Sequence, residues 1–148
     1  MSAETEIDQL TLEFIKSIRL VDIDVTHISI DMKLDVEDDS LPADMELNPE
    51  FNLAVDINDE QNKARFRTKM TIEFPGSADL IVELGAVYEL GELHLDDLKE
   101  GVIQNFFNKV VLMTLFPYFR SEVSYLTGKA FNEPLILPIL EQGDIVFN

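Results

Sequence analysis

The sequence predicts an α+β fold: a four-stranded antiparallel sheet with one long C-terminal helix packed on it, followed by an apolar connector that contains prolines. Three observations predict this fold. Apolar and polar residues alternate through most of the first 95 residues, which is typical of strands with one buried face. The turns between the later strands are short, so those strands should run antiparallel. After Leu95 the apolar spacing changes to that of a helix.

Four segments carry the strand pattern. The first runs from Leu12 to Leu34, with a shift of phase that indicates a bend or bulge. The others begin near Phe51, Phe66 and Leu80. Gly85 interrupts the last pattern and is interpreted as a bulge residue. The whole chain is predicted to be a single domain, 1–148, in which 1–11 is flexible and 12–95 forms the sheet.

The long helix is predicted over 96–128, with Asp96 or Asp97 as its N-terminal cap and Gly128 at its end. Apolar residues cover well over half of its circumference, whereas a surface helix carries only a stripe. One side can pack on the sheet, and the other is most simply covered by a second subunit. The predicted oligomer interface consists of Phe106, Phe107, Val110, Val111, Phe116 and Phe119.

The stretch "LFPYFRSEV" places Pro117 within this helical pattern. A proline inside a helix removes a backbone hydrogen bond and costs about 3 kcal/mol. Because the apolar pattern continues on both sides of it, we interpret Pro117 as a tolerated kink within one long helix. The remaining residues, 129–148, form the connector and a short tail.

The net charge of −18 argues against nucleic acid and anionic membranes as partners, because both would repel the chain. It permits a basic or an unfolded partner, and it also keeps a protein with exposed apolar surface dispersed. The chain has no cysteine, no signal-peptide pattern and no apolar run of the roughly 18 residues that span a bilayer. We expect a cytoplasmic protein without membrane insertion.

The sequence carries no catalytic constellation, and we expect no enzyme, no metal site and no cofactor. His27 and His94 are far apart and lack the spacing of metal ligands. No phosphate-binding glycine motif and no nucleophile motif occurs. A small-ligand binder or an enzyme on this scaffold is the least favoured of the alternatives.

Several segments together resemble SecB, the bacterial export chaperone. "LFPYFRSEVSYLT" is similar to the LFPYAR-type stretch of the family's long helix, and "F…PLILP" is similar to its connector. "NPEFNLAVD" resembles the family's second strand, and "LVDIDV" and "LIVELGAVYEL" resemble the first and third strands. The likeness covers the chain from about Leu12 to Ile139.

The resemblance implies a cytoplasmic tetramer, a dimer of dimers, that acts as a holdase. A holdase binds unfolded polypeptide without ATP and keeps it from aggregating. The family's client-binding grooves map to residues of the second strand and of the connector, where Pro134 and Pro138 oppose regular structure. These client-binding positions are Phe51, Leu53, Val55, Phe131, Leu135 and Leu137.

The resemblance also implies a face for the translocation motor SecA, at Asp22, Ile81 and Glu83. A third acidic position of the family falls on Thr26, and the stretch "EQGDIVFN" is too short for the family's second helix and motor-binding tail. Two alternatives therefore stand beside export: a SecB-like chaperone dedicated to an antitoxin of a toxin–antitoxin system, and a non-enzymatic interaction module for one specific partner.

Overall fold

The computed structural model describes residues 3–33, 49–91, 98 and 100–137. Its sheet is antiparallel throughout, in the order β1-β4-β3-β2, which confirms the predicted four-stranded sheet and the α+β fold. The elements in chain order are α1 (Ala3–Ser17), β1 (Ile18–Met32), β2 (Glu50–Asn58), β3 (Lys63–Phe74), β4 (Ala78–Leu90), α2 (Glu100–Phe106), a π-helical turn (Phe107–Val111) and α3 (Leu112–Phe131).

One face of the sheet forms the core. Burial alternates along β3 and β4, because successive side chains of a strand point to opposite faces. The buried face packs against the helices. Phe66 lies at the centre of an edge-to-face aromatic cluster, with ring centroids 5.6 Å from Tyr88, 5.1 Å from Phe106 and 5.0 Å from Phe107. Each such pair adds roughly 0.5–1.5 kcal/mol beyond simple burial.

The first strand is irregular, as the shift of phase predicts. Its register against β4 slips between Leu20 and Asp22, and again between Val25 and His27. Each slip inserts one unpaired residue and restores an apolar side chain to the helix side of the sheet. The fourth strand is continuous: Gly85 pairs with Asp24 on one side and Arg67 on the other. The interpretation of Gly85 as a bulge in β4 is therefore wrong.

The N-terminal segment differs from the prediction. Residues 3–17, predicted as part of a flexible segment and the start of a strand, form helix α1, Ala3–Ser17. Ile7, Leu10, Thr11 and Phe14 recur at helical spacing and face the rest of the chain. Phe14 is fully buried and packs edge-on against Phe106 at 4.9 Å. The alternation of Leu12 with Phe14 is too short to distinguish a strand from a helix.

The long helix runs through Pro117, which lies inside α3 as predicted. Upstream of it, the N–H of Leu112 donates to the carbonyl of Phe107, five residues back, in the π-helical turn. The predicted end at Gly128 is wrong, because α3 continues to Phe131 and ends at Asn132, which has a left-handed φ of 57°. Asparagine tolerates that conformation. The predicted caps at positions 96 and 97 lie outside the described residues.

Candidate functional site

The edge strand β2 presents its apolar residues on the helix side of the sheet. Phe51, Leu53 and Val55 stand opposite buried residues of β3, and all three are half-buried. They are less covered than the residues of β3 and β4 on the same side of the sheet, which are buried. The structure thus brings the three predicted strand positions together in one row at the margin of the core.

This row is joined to the long helix at one end and extends beyond the predicted residues at the other. The rings of Phe51 and Phe119 meet edge-to-face, with centroids 6.1 Å apart. Ile57 continues the row and is 43% exposed. Ile57 is not among the client-binding positions predicted from the sequence, although it continues the same two-residue alternation.

The three connector positions divide between the core and the surface. Phe131 is buried and packs on Phe74, with ring centroids 5.3 Å apart. Leu137 is also buried, whereas Leu135 is half-buried. Between them Ile136, which is not among the predicted positions, is 63% exposed. Phe131 and Leu137 therefore belong to the core, beneath the more exposed connector residues.

Two hydrogen bonds hold the connector against α3. The backbone N–H of Leu135 donates to the hydroxyl of Thr127 at 2.7 Å, and the guanidinium of Arg120 donates to the carbonyl of Leu137 at 2.9 Å. The connector therefore runs back along the helix from which it emerges. Pro138, the second connector proline, lies outside the described residues.

Each of these two segments contacts α3, β2 at Phe119 and the connector at the adjacent Arg120, and together they carry what we call the apolar rim. It is the set of partly or well exposed apolar residues on the helix side of β2 and on the connector. The apolar rim consists of Phe51, Leu53, Val55, Ile57, Leu135 and Ile136.

The apolar rim offers burial rather than catalysis. It contains no acid, base or nucleophile. In the described part of the chain, no group of three or more histidine or acidic side chains could hold a metal ion. His27 lies in β1, where its Nε2 stands 3.1 Å from the hydroxyl of Ser29, and His94 is not among the described residues. Each large apolar side chain that a ligand buries here would contribute about 1.5–3 kcal/mol.

The opposite face of the sheet is polar and crossed by ion pairs. Arg65 binds Asp24 at 2.8 Å, and Arg67 binds Asp56 at 2.6 Å. The hydrogen bonds and charge of Asp56, with a smaller contribution from Glu83, raise the pKa of Arg67. These pairs are substantially solvated, so each contributes no more than about 1 kcal/mol.

The residues predicted to face a translocation motor lie on this polar face. Ile81 and Glu83 alternate with buried residues of β4, and Asp22 stands opposite Val87. The side chain of Glu83 is only 19% exposed, and its carboxylate accepts hydrogen bonds from the Thr26 hydroxyl at 2.7 Å and from Arg67 at 3.4 Å. The three residues lie on one face of the sheet, but the carboxylate of Glu83 is already hydrogen-bonded within the chain.

The residues predicted to form an oligomer interface occupy a different place from the one expected. Phe106, Phe107, Val111, Phe116 and Phe119 are buried within the single chain, and Val110 is half-buried. Five of these six side chains therefore belong to the core of the subunit, and a second subunit could bury little more of them. The assignment of those five to an interface is wrong.

The outward side of α3 carries two exposed aromatic residues in their place. Tyr118 is 49% exposed and Tyr125 is 58% exposed. They are seven residues apart and so lie on the same side of the helix. Apolar residues that cover most of the helix circumference do not show which side packs on the chain's own sheet and which side stays exposed.

The architecture is that of the SecB-like fold, an antiparallel sheet covered by one long helix and followed by an apolar connector. The chain is similar to the Mycobacterium tuberculosis Rv1957 SecB-like chaperone, solved in complex with a ChAD peptide from the Rv1956 HigA1 antitoxin. The two share 20% sequence identity, and the TM-score is 0.72 over 95% of this chain and 100% of the other.

A weaker likeness, with a TM-score of 0.45 at 9% identity, covers 82% of this chain and 96% of a protein of unknown function from Streptococcus agalactiae. No protein-family model matches the sequence, and no curated protein matches it. The likeness to Rv1957 therefore establishes the fold.

None of the helices in the described part of the chain combines the length and the apolar character needed to cross a membrane.

Proposed function

We propose that this protein is an ATP-independent holdase that binds unfolded polypeptides along the apolar rim. The observation that carries this proposal is the row of partly exposed apolar residues on β2 at the margin of the core, together with the exposed connector residues Leu135 and Ile136. Apolar residues exposed together on one face are typical of a binding surface, because a compact chain gains free energy by burying them. The fold neighbour, solved with a bound peptide, supports the same class of ligand.

The chemistry of the apolar rim suits a client without a fixed fold. Apolar side chains on an extended strand meet every second residue of an extended chain, and they discriminate little among apolar residue types. Binding the unfolded state lowers its free concentration and so slows aggregation by mass action, without any need for ATP. In this proposal the protein works in the cytoplasm as a homo-oligomer, as the resemblance to SecB implies.

The experiment uses two substitutions in the apolar rim, Leu53→Ser and Leu135→Ser, one on each segment. Each should weaken binding of reduced and carboxymethylated lysozyme, a permanently unfolded chain, by about tenfold, because one apolar contact is lost. Leu12→Ser is the matched control, since Leu12 is exposed on α1 away from the rim. Fluorescence anisotropy measures the affinity, and circular dichroism checks that each variant melts as a folded protein.

Two results would overturn the proposal. One is a wild-type chain that neither binds the unfolded lysozyme nor suppresses its aggregation without ATP. The other is a pair of rim variants that bind as tightly as the Leu12→Ser control.

A second candidate function is a chaperone dedicated to an antitoxin. It is favoured by the fold neighbour, whose bound peptide comes from an antitoxin. Hand-over to SecA is less favoured, because Glu83 of the predicted motor face is already bonded to Thr26 and Arg67.

Pull-down from the native host with mass spectrometry separates the candidates. A dedicated chaperone should retain one antitoxin far above all other chains, whereas a general holdase should retain many unrelated precursors. Retention of a single folded partner, with no suppression of aggregation, would support the remaining alternative of a specific interaction module.

A further inference from the structure

The N-terminal helix α1 covers one end of the aromatic cluster in the core. Phe14 of α1 is fully buried, and its ring lies edge-on against that of Phe106, with centroids 4.9 Å apart. The ring of Phe106 in turn packs against Phe66 at 5.1 Å and against Tyr88 at 5.2 Å. α1 therefore shields aromatic surface that belongs to α2 and to the two central strands.

Along the rest of its length, α1 is packed openly against the helical segment that follows the sheet. A groove of about 370 Å³ lies between them, and its lining includes Ile7, Asp8 and Gln104. The ion pair of Asp8 with Lys109 borders this groove, with side chains that are 50% and 40% exposed. Protein interiors are close-packed, and a solvated ion pair adds little stability. The contact of α1 with α2 is thus weaker than a packed helix interface.

The junction between α1 and β1 allows α1 to move as a unit. α1 ends at Ser17, and the pairing of β1 with β4 begins at the next residue, Ile18, which stands opposite Leu90. The N–H of Gly91 donates to the carbonyl of Ser17 at 3.2 Å and anchors this point to the sheet. Turning α1 away about this anchored junction would leave every strand pairing of the sheet intact.

The helix beneath α1 contains its least regular part. Phe106 directly precedes the π-helical turn, Phe107–Val111, and Lys109 belongs to that turn. Such turns occur mostly as single turns inside α-helices, frequently at functional sites. The surface that α1 covers therefore combines aromatic side chains with an irregularity that is typical of functional sites, and it is separate from the apolar rim.

We propose that α1 is a movable lid and that an apolar segment of an unfolded polypeptide takes its place against Phe106. This inference rests on the proposed holdase function and adds a second, covered binding surface to it. The stretch "LTLEFI", Leu10–Ile15, shows the kind of segment that fits, because its own aromatic residue, Phe14, fills the position. A long client that binds the apolar rim and this surface together gains affinity from the two linked contacts.

A reversible disulfide between α1 and α2 tests the lid. A Cβ at Gly101 would lie 3.5 Å and 3.6 Å from the two γ carbons of Ile7. Ile7→Cys combined with Gly101→Cys therefore brings two sulfur atoms within reach of a disulfide, and the chain has no other cysteine. The client is reduced and carboxymethylated lysozyme, whose blocked thiols cannot exchange with this disulfide. Each single substitution serves as a matched control.

The locked protein should bind lysozyme about tenfold more weakly than the same protein after reduction, because the client loses one of two linked surfaces. The single variants should bind equally well under both conditions. Fluorescence anisotropy measures these affinities. In the unmodified chain, amide exchange followed by NMR should show that lysozyme speeds the exchange of α1 by about tenfold, because the bound client displaces α1.

Each other outcome has a definite meaning. Equal affinity of the locked and reduced proteins, or α1 amides that keep their protection in the complex, would refute the lid while the holdase function stands. A disulfide that does not form, or that joins two chains, would show that α1 does not rest on its own α2, and the inference would fail. If lysozyme does not bind the unmodified chain at all, the holdase function fails as well.

Discussion

At the scale of single residues, two glycines are required because other groups approach them closely. A Cβ at Gly85 would meet the side chains of Asp24 and Arg65, lying 2.9 Å from the Cδ of Arg65. A Cβ at Gly91 would lie 2.7 Å from the backbone carbonyl oxygen of Ser17, at the junction of α1 and β1. A side chain can swing aside, whereas a backbone carbonyl moves only if the junction moves. The two positions should therefore respond differently to the same substitution.

We predict that Gly91→Ala lowers the free energy of unfolding by about 1–3 kcal/mol, because the α1–β1 junction must shift. Gly85→Ala should cost less than about 1 kcal/mol, since it displaces only the solvated pair of Asp24 and Arg65. Urea unfolding followed by circular dichroism measures both. The reverse order of the two costs would contradict the packing described at these glycines.

Phe107 provides a test of its position in the core. Its ring lies 5.0 Å from that of Phe66 and is buried within the single chain. We predict that Phe107→Asp lowers the free energy of unfolding by about 4 kcal/mol or more, because a carboxylate would replace a packed ring. Tyr125→Asp, on the exposed side of the same helix, should have little effect on the midpoint of thermal unfolding. A Phe107→Asp chain that stays folded with an unchanged midpoint would return Phe107 to a surface role.

At the scale of elements, the helix α1 is attached to the long helix by one aromatic contact and a polar cluster. Beside Phe14, the amide of Asn105 donates to the Asp8 carboxylate at 3.0 Å and to the Thr11 hydroxyl at 2.9 Å. The ammonium of Lys109 donates to the same carboxylate at 2.9 Å. Such contacts between an N-terminal segment and residues a hundred positions later cannot be inferred from local periodicity.

The polar cluster predicts a pH dependence for the docking of α1. The hydrogen bonds from Lys109 and Asn105 lower the pKa of Asp8 below its ordinary value of 3.8. Because the folded-state pKa is depressed, Asp8 stabilises docking above the ordinary value, and this contribution is lost as the pH falls through the depressed one.

Amide exchange of α1 between about pH 5 and about pH 2 should therefore show weaker protection in acid. Asp8→Asn, measured in parallel, corrects for the titration of the other acids: its protection should be lower at pH 5 and should converge with the wild type in acid. A constant difference between the two proteins over this range would contradict the role assigned to Asp8.

The elements that local pattern predicted well are those with long, regular periods. β2, β3 and β4 appeared in the sequence because their alternation runs over many residues and turns of a few residues separate them. The slip in β1 was visible as a shift of phase. The end of α3 was not, because Phe131 extends the helix past Gly128 by packing on Phe74, a contact between distant parts of the chain.

At the scale of the whole molecule, each side of the protein has a distinct character. The polar face of the sheet carries ion pairs, the β2 margin of the core carries the apolar rim, and the outward side of α3 carries Tyr118 and Tyr125. The oligomer was predicted from the apolar circumference of the long helix. Its candidate interface therefore lies at these tyrosines rather than at the buried phenylalanines.

We predict that the chain is an oligomer at micromolar concentration and that Tyr118→Arg combined with Tyr125→Arg produces a smaller species. Four arginines facing each other across a twofold contact would repel, while each subunit would keep its core. Analytical ultracentrifugation measures the mass, with Leu12→Arg as the control on another exposed helix face. A monomeric wild type would refute the oligomer, and a double variant of wild-type mass would place the interface elsewhere.

The sequence alone determined the fold class, three of the four strands, the continuity of the long helix through Pro117 and the strand that contributes to the apolar rim. All of these depend on the period of apolar residues along the chain, which backbone geometry dictates locally. The tertiary structure decided which side of the long helix is covered, that α1 is a helix, and that Leu135 and Ile136 are accessible while Leu137 is not. Those outcomes depend on contacts between segments that are distant in sequence. The local period of apolar residues carries no information about such contacts.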